Sequence, residues 1–185
     1  MLDLHTPCPD FSLPNIDGRQ VSLSQFTSQP LLVMFLSNHC PFVKHVRAKL
    51  ADIGRAFQQK GIAVVAISAN DTEAFPADSF ELMKAEAKEA GYTFPYLYDE
   101  SQSSAKAFRA ACTPDFYLFD RSHHLVYRGQ LDGSRPGNNV PVTGHDLVVA
   151  AETMLAGGEI SSDQRPSLGC NIKWKPGNNP DYYPG

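Results

Sequence analysis

The feature that most narrows the fold is the junction between residues 31–36, Leu-Leu-Val-Met-Phe-Leu, and the amphipathic stretch that begins at Pro41. An unbroken apolar run of that length suits a strand buried on both faces. Over residues 41–60, Val43, Val46, Leu50, Ile53 and Phe57 recur three or four apart and make one apolar stripe, with Lys44, Arg47, Lys49, Arg55 and Gln58 lying mostly away from it. Pro41 suits the first helical position, where a missing N–H costs nothing, and Gly61 supplies a stop. A second buried strand, Ile62 to Ser68, follows at once. Strand, helix and strand in that order imply a right-handed parallel unit.

The alternation continues. A helix is expected over Asp78 to Ala90, a strand over Phe94 to Tyr98, a short helix over Ser103 to Phe108, a hairpin of Phe116 to Asp120 and Leu125 to Arg128, and a last helix over His145 to Leu155. The pattern predicts an α/β fold with a mostly parallel sheet covered on both faces. Residues 161–185 differ: they are rich in Pro, Gly and Asn and without periodicity, yet carry Leu168, Ile172, Trp174, Tyr182 and Tyr183. A free tail has little use for such side chains. The chain therefore divides into one domain, residues 1–157, and an irregular extension, 158–185, that wraps it and docks its aromatics.

Composition narrows the function classes. With 42% hydrophobic and 19% charged residues the chain is of ordinary globular type, and a net charge of −4 gives no purchase on nucleic acid or anionic lipid. No apolar run approaches the roughly 20 residues of a membrane helix. The first residues have neither the basic start nor the apolar stretch of a secretory signal, so a cytoplasmic location is expected.

Chemistry centres on cysteine. Cys8, Cys40, Cys112 and Cys170 show neither CxxC nor zinc-site spacing, and Cys8 reads as a small buried hydrophobe. Cys40 is different, because it stands between a buried strand and the first turn of a helix. Reactive groups of open α/β sheets gather at the carboxyl ends of strands, and free N–H groups with partial positive charge face outward at a helix N-terminus. A thiolate is stabilised there relative to free cysteine, whose pKa is about 8.5. Lys44 and His45, one turn on, are expected to add charge or hydrogen bonding, and Cys40 is expected to be an exposed nucleophile.

The segment Met34-Phe-Leu-Ser-Asn-His-Cys40-Pro-Phe-Val43 resembles the strand-to-helix element of the thioredoxin superfamily, with Cys40 in the place of the attacking cysteine and Val43 in the place of the second. Cys112-Thr113-Pro114 resembles the cis-proline loop of that superfamily, where the proline lies beside the active sulfur and its neighbour's backbone pairs with an extended substrate. Pro9-Asp10-Phe11-Ser-Leu-Pro14 with Asp17-Gly18 is similar to the opening of the peroxiredoxin branch, the alkyl hydroperoxide reductase and thiol-specific antioxidant proteins. The tail, Pro166-Ser-Leu-Gly-Cys170-Asn-Ile-Lys-Trp-Lys-Pro-Gly177, resembles that of a peroxiredoxin-like subgroup.

The resemblance implies a thioredoxin-like fold, a mixed central sheet flanked by helices, and a thiol–disulfide oxidoreductase with Cys40 as nucleophile. A monothiol needs a resolving partner; Cys112 and Cys170 are both candidates. Asn38 and His39 before the nucleophile, and Thr113 and Pro114 of the loop, are the candidate substrate-binding residues. The expected partners are a protein or small-molecule disulfide, or a peroxide, and a cellular dithiol as reductant; no cofactor is implied, since no Gly-rich phosphate motif follows any strand. Two alternatives stay open. One is a peroxidase of modest rate, because peroxiredoxins carry a proline where this chain has Val33 and an arginine where it has Pro114. The other is a non-catalytic module that binds proteins or a metal ion through the same groove, although His39, Cys40 and His45 lack the spacing of copper carriers on this fold. Arg135, in the turn-rich loop 132–141, is a candidate to steer an acidic substrate.

Overall fold

The computed structural model describes residues 2–183. At its centre is β3 (Leu31–Phe35), in which every residue is buried. On one side it pairs in parallel with β4 (Ala63–Ser68), and β4 in parallel with β5 (Tyr96–Tyr98). On the other it pairs antiparallel with β7 (Asp115–Phe119), which turns back on itself through β8 (Leu125–Gly129). The order is β5-β4-β3-β7-β8. The sheet is mixed, as the resemblance implied: β3, β4 and β5 run parallel, and β7 alone runs against both of its neighbours, β3 and β8. His123 makes the turn between β7 and β8 at φ 59°.

Side-chain alternation along β3 divides the interior in two. Leu32 and Met34 face a core with Val43, Val46, Leu50 and Phe57 of α1 (Pro41–Gln59), Met83 of α2 (Phe80–Ala90) and Leu147 of α4 (His145–Leu155). Leu31, Val33 and Phe35 face a second core with Phe11, Leu13 and Val21 of the small β1–β2 hairpin (Ser12–Pro14, Gln20–Ser22) and with Phe108, just after α3 (Ser103–Ala107). In that second core Phe35 meets Phe108 and Tyr117 edge-on, with ring centroids 5.5 and 5.9 Å apart. Burying each such ring contributes roughly 2–3 kcal/mol.

Two boundaries differ from expectation. The helix expected from Asp78 begins at Phe80; the segment before it is a short 3-10 turn, Pro76–Asp78, and Asp78 is buried. The tail holds a strand that its composition conceals: β9 (Cys170–Asn171) pairs antiparallel with β6 (Cys112–Thr113). Around it, Gln130 donates to the Arg165 carbonyl, Ile172 donates to Ala111 and is buried in the second core, and the Tyr182 hydroxyl bonds the carbonyls of Ala105 and Ala110. Pro184 and Gly185, the end of the expected extension, lie outside the described residues.

Candidate active site

Cys40 caps α1, and its carbonyl accepts the first helical hydrogen bond, from Lys44 at 3.0 Å. Its thiol donates to the carbonyl oxygen of Thr113 at 3.2 Å, and the Thr113–Pro114 peptide is cis. The strand–helix junction and the proline loop therefore meet as expected. The expected exposure is not found: Cys40 is 0% exposed, packed in the first core with Leu36, Val43 and Val46, and Cys170 of the tail packs against that core.

The β6–β9 register decides which sulfur meets Cys40. Thr113 stands opposite Cys170, and Cys112 opposite Asn171. Directly opposed residues share a face and successive residues alternate, so Cys170 lies on the face of Thr113 and Cys112 on the other. The Cys170 thiol rests against that of Cys40; burial and this neighbour push it up to about 11, while the Phe42 amide of the first helical turn opposes the rise. The Cys112 thiol faces the Pro114 carbonyl at 3.9 Å, and burial, followed by the charges of Asp115, Cys40 and Cys170 nearby, pushes it well above the ordinary range. Cys8 is buried, up to about 12, remote from this cluster by its bond to the His123 carbonyl. The four cysteines are unlinked.

Sequence reasoning did not single out Asp78. Its carboxylate, 0% exposed, accepts from the Ser37 hydroxyl, the Asn38 amide (2.6 Å), the His39 imidazole Nδ1 (2.6 Å) and the Asn70 side chain (2.7 Å). It thereby ties down the three residues that lead into Cys40. No spacing signals this role, since the partners of Asp78 at residues 37–39 lie some forty residues away in the chain. His39 also stacks on Phe75, with centroids 5.5 Å apart and planes at 8°. The Asn38 side chain faces inward, donating to Ala77 and accepting from the Tyr96 hydroxyl.

Two other expectations change. His45 does not serve Cys40: its Nε2 donates to the Ser134 hydroxyl at 2.7 Å, and that hydroxyl donates in turn to Val140. The Arg135 guanidinium bonds the carbonyls of Asp132 and Ser134 and the side chain of Gln130, so it braces its own loop. A narrow cleft beside Pro114 is walled by Phe42, Leu131, Arg135 and Leu168. Next in the chain after Pro114 is Asp115, whose carboxyl is raised to about 6 by burial against the opposing hydrogen bonds of its neighbours, among them the Tyr117 hydroxyl at 2.8 Å. Among the described residues no three His, Cys, Asp or Glu converge as metal ligands, and no helix is long and apolar enough to cross a membrane.

Comparison with known proteins bears on family and fold. Peroxiredoxin Q, chloroplastic, of Sedum lineare is 33% identical over 133 residues, 66% of this chain and 67% of the relative. The thiol-disulfide oxidoreductase ResA of Geobacillus thermodenitrificans is 20% identical over 62% of each, so the chain spans less than two thirds of that protein. Among solved structures, a hypothetical protein of Sinorhizobium meliloti superposes with a TM-score of 0.93 at 50% identity, covering 96% of this chain and 97% of that one. An uncharacterized conserved protein of Geobacillus kaustophilus gives 0.93 at 50% identity, covering 95% and 94%. A putative thiol:disulfide interchange protein DsbE of Chlorobium tepidum shares the thioredoxin-like fold, with a TM-score of 0.66 at 22% identity over 84% of this chain and 99% of that one. Residues 4–128 match the AhpC/TSA family, and with a match over that much of its length the chain belongs to the AhpC/TSA family.

Proposed function

We propose that the protein is a thiol–disulfide oxidoreductase in which Cys40 attacks and Cys170 resolves. The reading rests on one observation above others: the Cys170 thiol lies against Cys40, held there by strand pairing opposite Thr113. In the first step the Cys40 thiolate attacks one sulfur of a disulfide, forming a mixed disulfide and expelling the other sulfur as a thiolate. In the second, the Cys170 thiolate attacks Cys40, and the remaining substrate sulfur leaves. The substrate disulfide is reduced to two thiols while Cys40 and Cys170 are oxidised to one disulfide. An external dithiol, of the kind a reducing cytoplasm holds, returns both to thiols.

In this scheme residues 1–157 carry the nucleophile and its groove, and the extension 158–185 brings the resolving thiol. Thr113 and Pro114 form the groove wall, and His39 and Asn38, fastened to Asp78 and Ala77, position the Cys40 loop. Cys112 is a reserve thiol on the opposite face.

The similarity to a peroxiredoxin supports a second reaction of the same pair. The Cys40 thiolate attacks a peroxide oxygen, giving sulfenic acid and an alcohol or water; Cys170 then condenses with the sulfenic acid, releasing water and forming the same disulfide. Val33 and Pro114 argue for a modest rate, since the proline and arginine of peroxiredoxins are absent there.

The test is single-turnover reduction of hydroxyethyl disulfide, with products read by mass spectrometry. Wild type is expected to end as a Cys40–Cys170 disulfide, Cys170→Ser to stop at a mixed disulfide on Cys40, and Cys40→Ser to do nothing. A Cys40→Ser protein that reduces the disulfide at the wild-type rate refutes the assignment, and so does a wild-type protein that never reacts, which is the behaviour of a binding module.

A further inference from the structure

One side-chain amide fastens both sulfur-bearing segments. Asn70, 3% exposed, donates to the Asp78 carboxylate at 2.7 Å and accepts from the Lys173 backbone amide at 2.8 Å. Through Asp78 it holds the residues that lead into Cys40, and through Lys173 the residues that follow Cys170. The Lys173 carbonyl is fixed as well, accepting from the Asp71 amide at 2.8 Å and the Gln102 side chain at 2.9 Å. With the backbone held, the side chain is placed too: its ammonium lies over the Phe75 ring, 5.5 Å from the centroid. That ring stacks on His39, the residue before Cys40.

Charges around the two sulfurs are unequally matched. Arg47 is paired with Glu86 and Glu89, Arg135 is held by its own loop, and the buried Asp78 carboxylate is already occupied by its donors. Glu73, on the loop that carries Phe75, is exposed. Among the described residues neither Lys173 nor Lys44, exposed one turn after Cys40, pairs with a carboxylate. The Lys173 charge is felt at Cys170, where it opposes the rise of the thiol.

From this placement we infer that Lys173, held over Phe75, anchors a carboxylate, and that the preferred substrate is a small disulfide bearing a carboxylate a few bonds from its sulfur. A small molecule is favoured because Cys40 is 0% exposed. The inference rests on the reading of Cys40 as the nucleophile and adds the charge class of its substrate. In the reaction the Cys40 thiolate bonds one substrate sulfur and the substrate S–S bond breaks. The other half leaves as a thiolate that still carries its carboxylate. Negative charge grows on that half as the bond breaks, so a fixed cation favours the transition state over the bound disulfide.

The first step is read alone in a Cys170→Ser background, by mass spectrometry of the mixed disulfide on Cys40, so that the effect of Lys173 on Cys170 does not enter. Three small disulfides differ in charge: dithiodipropionate is anionic, hydroxyethyl disulfide neutral and cystamine cationic. Each is compared with itself across variants, so its intrinsic reactivity cancels. Lys173→Met is expected to slow dithiodipropionate by about fivefold or more, to leave hydroxyethyl disulfide within about twofold, and to speed cystamine. Lys173→Arg should keep the wild-type order of the probes, and Lys49→Met, which removes a charge farther along α1, should change none of them. With Lys173 intact, added salt should slow dithiodipropionate relative to the neutral probe, a check that does not depend on how a variant folds. Equal changes for all three probes, or a Lys49→Met effect equal to that of Lys173→Met, overturn the anchor. If hydroxyethyl disulfide reacts with Cys40 and probe charge makes no difference, the anchor fails and the nucleophile stands. Alkylation of Cys170 with this cysteine intact gives a readout free of turnover: the rate with iodoacetate relative to iodoacetamide should fall about fivefold in Lys173→Met. If that fall is found while no disulfide reacts, the anchor stands and the reading of Cys40 fails.

Discussion

Replacing Asp115 by asparagine should reverse part of the protein's pH dependence of stability. The carboxyl is 2% exposed at the residue after the cis-proline, and burial raises it from 3.8 to about 6. In the unfolded chain it ionises near 3.8; in the folded chain it holds its proton to about 6. Below the lower value both states are protonated and the group favours neither. Between the two, unfolding releases a proton, so folding loses ground as pH rises, by up to ~1.4 kcal/mol per pH unit. Above about 6 both states are ionised and the loss stops growing, at about 3 kcal/mol for a displacement of about two pH units. The asparagine side chain has no proton to lose. It also fails to accept both bonds of the carboxylate, including that from Tyr117 at 2.8 Å, a roughly constant cost of about 1 kcal/mol.

The stability difference, Asp115→Asn minus wild type, should therefore rise by about 3 kcal/mol between pH 4 and pH 7 and then level off. Urea denaturation at half-unit pH steps measures it, and subtraction removes the contribution of other groups. A difference that stays flat across this window refutes the argument that burial, rather than hydrogen bonding, governs this carboxyl. The same substitution removes a charge that faces Cys112, so iodoacetamide should label Cys112 faster in the variant.

Other consequences follow from the same contacts. Asp78→Ala leaves the Ser37, Asn38, His39 and Asn70 donors without their acceptor and should cost about 4 kcal/mol in urea denaturation, roughly 1 kcal/mol for each; a loss below about 1 kcal/mol would mean water replaces the carboxylate. Cys112→Ser should leave resolution of a mixed disulfide on Cys40 within twofold of wild type, while Cys170→Ser abolishes it, as read by quenched-flow mass spectrometry. Because burial raises the Cys170 thiol and only its thiolate attacks, the resolving step should accelerate with rising pH from 7 to 9, approaching tenfold per pH unit, and a pH-independent rate counts against a Cys170 thiolate as the attacking group.

What was legible in the chain, and what was not, follows the range of the forces involved. The run Leu31 to Leu36 and the Val43–Phe57 stripe declare a buried strand and its helix through periodicity alone, and β3 and α1 lie where that pattern puts them. Cys40 and Pro114 were legible as neighbours only through the resemblance, since nothing in local spacing joins residues so far apart in the chain. The rest depends on backbone approaching backbone between irregular segments. β9 has two residues, too few for a period-2 signal, and its register is set by contact at Gly169, a residue that in sequence marks only a turn and on which a β-carbon would meet the Thr113 carbonyl. Asp78 likewise reads only as the first residue of the expected helix until the Ser37–His39 loop folds over it. These same unreadable contacts decide the chemistry: a shift of β9 by one residue would put Asn171 opposite Thr113 and exchange Cys170 for an amide on the face of Cys40. The nucleophile is therefore a property of one segment, and its resolving partner a property of how two distant segments meet.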